Sequence, residues 1–266
     1  MTAVDFAAFV DELATVSGTA IMPFFRTGLV PSDKSRGEAT FDPVTEADRA
    51  SEAVMRQLIK RTFPSHGIIG EEYGDERTDA EFVWVLDPID GTRAFISGLP
   101  LWGTLIGLTR LGKPCYGMMH QPFTRERFFG DGRSASWRGL DSRGKVVERR
   151  LHTRSCTGLG QATLMTTHPS LLTPETRVPY ARVEDKVRLS RYGGDCYAYC
   201  MVAAGHVDLV IESGLNAYDI CALVPIVEGA GGVVTDWTGA SAANGGSIIA
   251  SGDRHLHEQA LALLNA

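Results

Sequence analysis

Three observations on the sequence predict a two-lobed fold that combines the α+β and α/β classes. An apolar run typical of a buried strand, Phe82–Leu86, ends in carboxylates. From Leu101 onward, short strand-like segments follow one another with turns between them, as in an antiparallel sheet. Further along the chain, strand and helix patterns alternate, as in α/β folds. We therefore expect an N-terminal lobe over residues 1–150 and a C-terminal lobe over residues 151–266.

The N-terminal lobe begins with two predicted helices. Apolar residues recur at helical spacing over Phe6–Ala20 and give an amphipathic first helix. Thr45 followed by Asp48 resembles a capping box, and it opens a second helix that runs through Arg61. The polar segment between the helices, Asp33–Phe41, is predicted to be a loop. Both helices are expected to cover one face of the sheet.

The remaining elements are predicted from apolar and β-branched runs bounded by turn residues. The predicted strands of the first lobe are Gly67–Gly70, Phe82–Leu86, Thr104–Thr109, Cys115–His120, Arg125–Asp131 and Ser134–Arg138. Those of the second lobe are Ala162–Thr167, Val187–Arg191, Val207–Glu212, Gly232–Asp236 and Ser247–Ala250. Its predicted helices are Asp195–Ala204, Tyr218–Glu228 and Arg254–Leu264. Pro225 should bend or break the second of these helices.

The composition excludes several classes of protein. The 266 residues include 44% apolar and 22% charged residues, as in an ordinary soluble globular protein. The net charge of −6 and a pI near 5.7 argue against a nucleic-acid surface. No apolar run is long enough to cross a bilayer, and the N-terminus lacks the basic region of a signal peptide. The five cysteines show neither zinc nor redox spacing, so we expect reduced thiols in a cytoplasmic protein.

The segment Asp87–Thr92 carries the clearest chemical signal in the chain. Its two carboxylates, three residues apart, follow a predicted strand, where α/β proteins place their ligands. Hard cations need oxygen ligands held in a fixed arrangement. Gly91 allows the backbone to approach a ligand, and Thr92 can open a helix whose exposed N–H groups suit a phosphate. The segment predicts a site for a divalent cation and a phosphate, and the alternative is a turn punctuated by Asp and Gly.

Further motifs, in order and spacing, resemble the inositol monophosphatase family of magnesium-dependent, lithium-sensitive phosphatases. The motifs are Asp42–Asp48, Gly70–Glu72, Asp87–Thr92 and Ala217–Asp219. The resemblance covers nearly the whole chain and implies a layered α/β/α/β/α sandwich with the site between the lobes. It also implies a homodimer that acts on a small-molecule phosphate monoester, with no nucleic-acid or membrane partner. Within the family, Gly91–Pro100 and Tyr218–Gly239 look most like bacterial histidinol-phosphate phosphatases of histidine biosynthesis.

The resemblance implies a magnesium site of two or three ions. Glu71, Asp87 and the Ile89 carbonyl would hold the first ion. Asp87 would bridge to a second ion, completed by Asp90 and Asp219. A third, weaker ion would lie near Glu71.

The resemblance also implies how water and phosphate are handled. Glu71 and the Thr92 hydroxyl would orient and deprotonate the attacking water, and Asp48 would accept a hydrogen bond from Thr92. The N–H groups of Gly91 and Thr92 would bind the phosphate. Asp48 has a second interpretation as a helix-capping residue only. Glu72 is the rival of Glu71 as a ligand, and we expect Glu72 to lie in solvent.

Substrate selection is expected in the second lobe. The segment Gly193-Gly194-Asp195 matches the part of the family that contacts the leaving group, and Glu212 matches a residue that touches its polar groups. Arg191 is a weaker candidate, and Asp219 is expected to contact substrate as well as metal. Typical inositol phosphatases carry small or hydroxyl residues where Asp195 stands, so an acid here favours an amine-bearing substrate. The alternative role of Asp195 is a helix N-cap.

The leading interpretation is therefore a magnesium-dependent phosphatase that converts L-histidinol phosphate and water to L-histidinol and phosphate. An inositol monophosphatase or a broad sugar-phosphate phosphatase is the alternative. A nucleotide bisphosphate phosphatase is weakened by the lack of an obvious nucleotide pocket. A non-catalytic or RNA-associated protein on the same fold is disfavoured by the intact acidic residues and by the acidic balance of the chain.

Overall fold

The computed structural model describes residues 6–28, 32–33 and 43–266. Most of the predicted loop Asp33–Phe41, from Lys34 onward, lies outside these ranges, as does Asp42. Within them, no helix combines the length and the apolar character needed to cross a membrane.

The elements follow the predicted order along the chain. The helices are α1 (Phe6–Ile21), α2 (Glu46–Thr62), α3 (Thr92–Ile96), α4 (Pro174–Glu184), α5 (Cys196–Ala203), α6 (Ala217–Ile220), α7 (Leu223–Gly229) and α8 (Arg254–Leu264). The strands are β1 (Ser32–Asp33), β2 (Pro43–Val44), β3 (Gly67–Gly70), β4 (Phe82–Asp90), β5 (Gly103–Arg110), β6 (Lys113–Gln121), β7 (Glu126–Gly130), β8 (Ala135–Leu140), β9 (Val146–Arg150), β10 (Thr163–Thr166), β11 (Leu189–Tyr192), β12 (Leu209–Leu215), β13 (Val233–Asp236) and β14 (Gly246–Ser251).

The first large sheet contains seven strands in the order β3-β4-β5-β6-β7-β8-β9. The predicted antiparallel meander is confirmed from β4 onward, whereas β3 pairs in parallel with β4. The sequence Leu111–Pro114 between the predicted strands Thr104–Thr109 and Cys115–His120 predicts a hairpin. In the structure the hairpin between β5 and β6 turns at Leu111 and Gly112, whose φ values are +51° and +74°. Two successive positive φ values are typical of the turn whose twist matches a hairpin. Strand β9 was not predicted, because its exposed, charged residues show no alternation of apolar and polar positions.

The second large sheet contains five strands in the order β11-β10-β12-β14-β13. Strand β10 pairs in parallel with β11 and β12, and β14 pairs antiparallel with β12 and β13. Helix α4 was not predicted, because only Tyr180 and Val183 are buried in it and Pro179 lies inside it. The predicted helix Tyr218–Glu228 is broken into α6 and α7. The break precedes Pro225, which lies in the first turn of α7, where its missing N–H costs little.

The sheets and helices form five layers, which confirms the expected α/β/α/β/α sandwich. Helices α1 and α2 cover the outer face of the seven-stranded sheet, α5 and α7 lie between the sheets, and α4 and α8 cover the five-stranded sheet. Each interface has its own apolar core. Representative buried residues are Leu13, Ile59 and Trp84 in the first, Phe128, Cys200 and Ile226 in the second, and Tyr180, Ile211 and Leu256 in the third.

Gly117 allows the middle helical layer to approach the seven-stranded sheet. A Cβ atom at this position would lie 1.9 Å from the carbonyl oxygen of Ala222, between α6 and α7. Backbone atoms cannot move away as the end of a flexible side chain can. The close contact between β6 and the α6–α7 junction therefore requires glycine here.

We expect Gly117→Ala to lower the free energy of unfolding by about 1–3 kcal/mol or more, the range for overpacking in a well-packed core. Urea unfolding followed by circular dichroism measures the change. Gly160→Ala is the matched control, because no atom lies within 4 Å of a Cβ there. Equal unfolding free energies for the two variants would contradict the prediction. They would show that the α6–α7 junction can move away from β6 at little cost in free energy.

Candidate active site

Three carboxylates from two parts of the chain meet at the end of β4. Asp87 and Asp90 lie at the end of β4, and Asp219 lies in α6. One oxygen from each lies within 4.8 Å of the others. Asp87 is only 2% exposed. These three residues were predicted as metal ligands, and the fold brings them together as a compact group.

A second group of carboxylates lies beside the first. It contains Asp48 of α2 with Glu71 and Glu72, which follow β3, and their oxygens also lie within 4.8 Å of one another. Burial raises the pKa of Asp87 well above its usual range, and the negative charge of Glu71 adds to this effect. The charges of the two groups therefore interact, and we call the two groups together the acidic centre.

The electrostatics of this centre suit a bound cation. Burial, followed by the charges of Asp195 and Asp219, raises the pKa of Asp90 well above its usual range. Such shifts arise because the ionised forms repel one another in a region with little water. Both groups offer carboxylate oxygens only, which are the ligands that hard divalent cations prefer. The residues present therefore fit a divalent metal ion.

Backbone N–H groups orient these carboxylates. The N–H of Cys196 donates to Asp90 at 2.6 Å, and the N–H of Ile89 donates to Asp87 at 3.1 Å. Asp219 accepts from the N–H of Asn216 at 2.6 Å, within a capping box of α6. Each acid is thus held by a local turn or by the start of a helix.

The predicted capping box of α2 is confirmed, and it fixes Asp48. One oxygen of Asp48 accepts from the Thr45 N–H at 2.9 Å and from the Thr45 hydroxyl at 2.5 Å. The Thr92 hydroxyl donates to the carbonyl of Ile89 at 3.0 Å. The expected donation from Thr92 to Asp48 stays a prediction.

Gly91 precedes helix α3 and has a φ of +84°, which favours glycine. A Cβ atom at Gly91 would lie 2.8 Å from the carbonyl oxygen of Leu101 and 3.3 Å from the Cβ of Asp195. The lack of a side chain therefore lets the start of α3 lie directly against Asp195. The phosphate-binding role of the Gly91 and Thr92 N–H groups stays a prediction.

Glu72 differs from the expectation. Its side chain is only 3% exposed, so the expectation that Glu72 lies in solvent is wrong. The reason is that the Glu72 N–H donates to the buried carboxylate of Glu52 at 2.7 Å, which fixes the turn after β3. The Glu72 carboxylate lies with Asp48 and Glu71, so Glu72 is a candidate ligand beside Glu71 as well as its rival.

Asp195 lies next to the metal-ligand candidates without capping a helix through its side chain. It occupies the N-cap position of α5, with a φ of +43°, and its side chain makes no capping hydrogen bond. Its carboxylate lies close to the Thr167 side chain, whose hydroxyl proton is donated to Glu212. Burial raises the pKa of Asp195, and the nearby Thr167 hydroxyl and the charge of Arg93 oppose that rise. Asp195 therefore holds the N-cap position that the alternative interpretation gave it, but its side chain does not cap the helix.

Glu212, in β12, is buried beside Asp195. Its Oε1 atom accepts from the Thr167 N–H at 2.7 Å and from the Thr167 hydroxyl at 2.6 Å, and its Oε2 atom accepts from the Tyr199 hydroxyl at 3.3 Å. Burial raises the pKa of Glu212 to about 7. Thr167 was not predicted as a site residue. Its signal was its place at the end of a predicted strand, where α/β proteins gather polar side chains.

The remaining predicted residues differ in how closely they approach this centre. The Gly193 N–H donates to the Thr167 carbonyl at 2.8 Å, and Gly194 is buried against Met165. Arg191 lies exposed on the edge strand β11, and no contact among the described residues links it to the carboxylates. Arg93, by contrast, acts electrostatically on Asp195 and was missed by the sequence interpretation.

Comparison with known proteins agrees with this fold and this acidic centre. The profile of the inositol monophosphatase family matches residues 4–266, and the chain belongs to that family of phosphatases. Its family is metal-dependent, in keeping with the acidic groups described above.

Individual relatives carry several different names. The chain is 46% identical over 268 residues to the chloroplastic bifunctional phosphatase IMPL2 of Arabidopsis thaliana, covering 96% of this chain and 74% of that protein. It is 35% identical to a histidinol-phosphatase of Mycobacterium tuberculosis, covering 84% of this chain and 85% of that protein. A solved inositol monophosphatase from Zymomonas mobilis has a TM-score of 0.85, with 43% identity and 98% of both chains covered.

The raised pKa of Glu212 predicts a dependence of stability on pH in the metal-free protein. A carboxyl whose pKa is higher in the folded state stabilises the fold at low pH, and this contribution is lost as the pH rises through about 7. Glu212→Gln keeps the shape and cannot ionise. We expect its unfolding free energy to fall less than that of the wild type between about pH 5 and pH 8, with a difference of up to about 3 kcal/mol.

Urea unfolding at several pH values in excess chelator measures this difference. The other acids of the centre titrate in both proteins, so the difference between the two pH profiles reports on Glu212 and on its interaction with Asp195. Glu258→Gln, on the exposed face of α8, is the matched control and should follow the wild type. Identical pH profiles for Glu212→Gln and the wild type would contradict the raised pKa.

Proposed function

We propose that this phosphatase is a magnesium-dependent histidinol-phosphate phosphatase, which hydrolyses L-histidinol phosphate to L-histidinol and phosphate. The observation that carries the proposal is the position of Asp195, which lies against Gly91 and acts electrostatically on Asp90. A second acid, the buried Glu212, lies close enough to Asp195 that the charge of Asp195 raises the pKa of Glu212. The acidic residues of the metal centre thus continue through Asp195 to Glu212.

We assign the metal to the acidic centre. Glu71, Asp87 and the Ile89 carbonyl would hold one Mg²⁺ ion, and Asp87, Asp90 and Asp219 would hold another. We also propose that a third ion binds more weakly near Glu71. Bound Mg²⁺ would neutralise negative charge on the phosphoryl oxygens and lower the pKa of a water ligand.

The chain's own residues would position the water and the phosphate. The Thr92 hydroxyl has one proton, which it donates to the Ile89 carbonyl in this structure. In the reaction it would donate that proton to Asp48 instead, and its oxygen would accept a hydrogen bond from the attacking water. Glu71 would take the proton from that water. Asp48, which lies in the same acidic group as Glu71, would make the Thr92 hydroxyl oxygen a stronger hydrogen-bond acceptor for the water. The N–H groups of Gly91 and Thr92 would bind the phosphoryl oxygens. The phosphate would thereby be aligned for direct attack by water.

Charge is the reason to prefer histidinol phosphate over a neutral alcohol phosphate. Histidinol phosphate carries an ammonium group close to its phosphate, and a charge-assisted hydrogen bond is stronger than a neutral one. Glu212 already accepts hydrogen bonds from Thr167 and Tyr199, which leaves Asp195 as the better placed partner for the ammonium. A neutral polyol carries no cation, so it could not form this charge-assisted bond with Asp195. The histidinol-phosphatase of Mycobacterium tuberculosis, at 35% identity, supports the same choice.

Inositol monophosphatase activity, or broad activity on sugar phosphates, is the second candidate. It is favoured by the 43% identity to the Zymomonas mobilis enzyme, and the name of the bifunctional Arabidopsis relative is consistent with a broader range of substrates. The two candidates share the metal centre and differ at Asp195. A panel of phosphate esters separates them.

The wider proposal follows family membership. It includes a place in histidine biosynthesis, lithium sensitivity, a homodimer, a cytoplasmic location and no nucleic-acid or membrane partner. The seven-stranded and five-stranded sheets support the division into lobes at residues 1–150 and 151–266. We retain Gly193, Gly194, Glu212 and Asp219 as substrate contacts, with Arg191 as the weakest.

Metal dependence is the first test. Excess chelator should abolish phosphate release from L-histidinol phosphate, and added Mg²⁺ should restore it. Asp90→Asn removes one charge from the centre, and we expect turnover to fall by several orders of magnitude. Asp141→Asn is the control, because Asp141 lies in the turn between β8 and β9, at the opposite edge of the seven-stranded sheet from β4. Full activity in excess chelator would rule out the metal-dependent reaction.

Substrate preference is the second test, through Asp195→Asn. Asparagine tolerates a positive φ, so the backbone at residue 195 should be kept while the charge is lost. We expect kcat/KM for L-histidinol phosphate to fall about 10-fold or more, from the loss of a hydrogen bond to a charged group. Activity on inositol 1-phosphate should change much less.

Asp185→Asn is the matched control for this test, because Asp185 is exposed at the end of α4. Phosphate release is measured for both substrates with all three proteins. Equal losses on the two substrates would mean that Asp195 does not recognise a cation. The preference for histidinol phosphate would then be withdrawn.

A further inference from the structure

Three charged residues of α2 are buried at intervals of four residues. They are Asp48, Glu52 and Arg56, which are 1%, 0% and 5% exposed. Residues four apart lie on the same face of a helix, so the three side chains form one stripe. Asp48 belongs to the acidic centre, whereas nothing in the proposed reaction uses Glu52 or Arg56.

The carboxylate of Glu52 binds the turn that follows β3. Its Oε2 atom accepts from the Glu72 N–H at 2.7 Å, and its Oε1 atom accepts from the Tyr73 N–H at 3.1 Å. Glu71 is the residue immediately before these two donors. Its own N–H donates to the carbonyl of Leu86 in β4 at 3.3 Å. The backbone on both sides of the Glu71 side chain is therefore fixed by hydrogen bonds.

Arg56 holds Glu52 and the far end of the same turn. Its Nε atom donates to Glu52 at 2.7 Å, its Nη2 atom donates to the carbonyl of Gly74, and its Nη1 atom pairs with Glu76 at 3.0 Å. The packing leaves no space for a side chain at Gly70, where a Cβ atom would lie 2.2 Å from the Glu52 carboxylate. Residues 70–76 are thus fitted tightly against one face of α2.

We infer that Glu52 is a positioning residue that sets the metal affinity of the acidic centre, with Arg56 as its support. Asp48, Glu71 and Glu72 come from two separate segments, and their oxygens must converge. Glu52 joins the segments, because it lies one helical turn from Asp48 and binds the backbone that carries Glu71 and Glu72. Residues outside the ligand set that orient the ligands commonly control metal affinity. This inference rests on the metal site of the proposed function.

Glu52→Gln tests the inference. Glutamine keeps the volume, and its single oxygen cannot replace both carboxylate oxygens, while its NH₂ group would face a backbone donor. Binding of Mn²⁺, measured by electron paramagnetic resonance of the free ion, reports on the site without substrate. We expect Mn²⁺ affinity to fall about 10- to 100-fold. The Mg²⁺ concentration that gives half-maximal turnover should rise in parallel.

The matched control is Glu81→Gln, which removes an exposed ion pair with Arg110 next to the start of β4. It should bind Mn²⁺ as the wild type does. Thermal unfolding and near-ultraviolet circular dichroism establish that each variant is folded. A Glu52→Gln protein with a lower Tm and unchanged Mn²⁺ affinity would overturn the inference, because a residue that serves stability alone gives that result.

Arg56→Lys provides a second variant in case Glu52→Gln does not fold. Lysine keeps the charge beside Glu52 and cannot reach Gly74 and Glu76 at the same time. We expect a several-fold loss of Mn²⁺ affinity, and unchanged affinity would overturn the inference. Failure of the proposed function is recognised separately. In that case the wild type shows no Mg²⁺-dependent hydrolysis, or Asp90→Asn leaves Mn²⁺ binding unchanged.

Discussion

Mutual repulsion between buried carboxylates is the constraint on which this structure depends. Asp87, Asp90 and Asp219 converge within one group, and Asp48, Glu71 and Glu72 converge within the next. Ionised acids at such distances, with little water around them, destabilise a fold unless a cation compensates them. The raised pKa values of Asp87 and Asp90 are the signature of that cost. A protein retains such an arrangement because the site, and not the stability of the fold, requires it.

Backbone N–H groups that donate hydrogen bonds to these carboxylates offset part of the repulsion between them. Asp48 and Asp219 each accept an N–H bond within a capping box, and Asp90 accepts the N–H of the first residue of α5. Backbone donors cannot change rotamer, so the carboxylates are held in position before any ligand binds. The same principle extends outward to Glu52, which binds the turn after β3. Rigid elements from both sides of the molecule thereby hold one set of oxygens, the condition that a precise ion site needs.

Much of the architecture could be predicted from the sequence, because local rules fixed it. Helix α8 was predicted with its observed bounds, and the capping box of α2 and the hairpin at Leu111 and Gly112 follow from nearby residues. The failures have a common cause. Strand β9 and helix α4 lack a clear apolar pattern, since each lies at the edge or the outside of the molecule. Their structure is decided by neighbouring elements, and no local signal reports on those neighbours.

The sequence by itself determined the kinds of residue in the site, because the Asp87–Thr92 segment and its partner motifs are local patterns whose chemistry can be recognised. Only the tertiary structure decided which of these residues face one another. It buried Glu72 through the bond between its N–H and Glu52, two residues 20 positions apart in the chain. It also placed Asp195 at the N-cap of α5 without a side-chain capping bond, with its carboxylate near Asp90 and Thr167. The direction of a side chain depends on long-range packing and hydrogen bonds, which local sequence patterns do not specify.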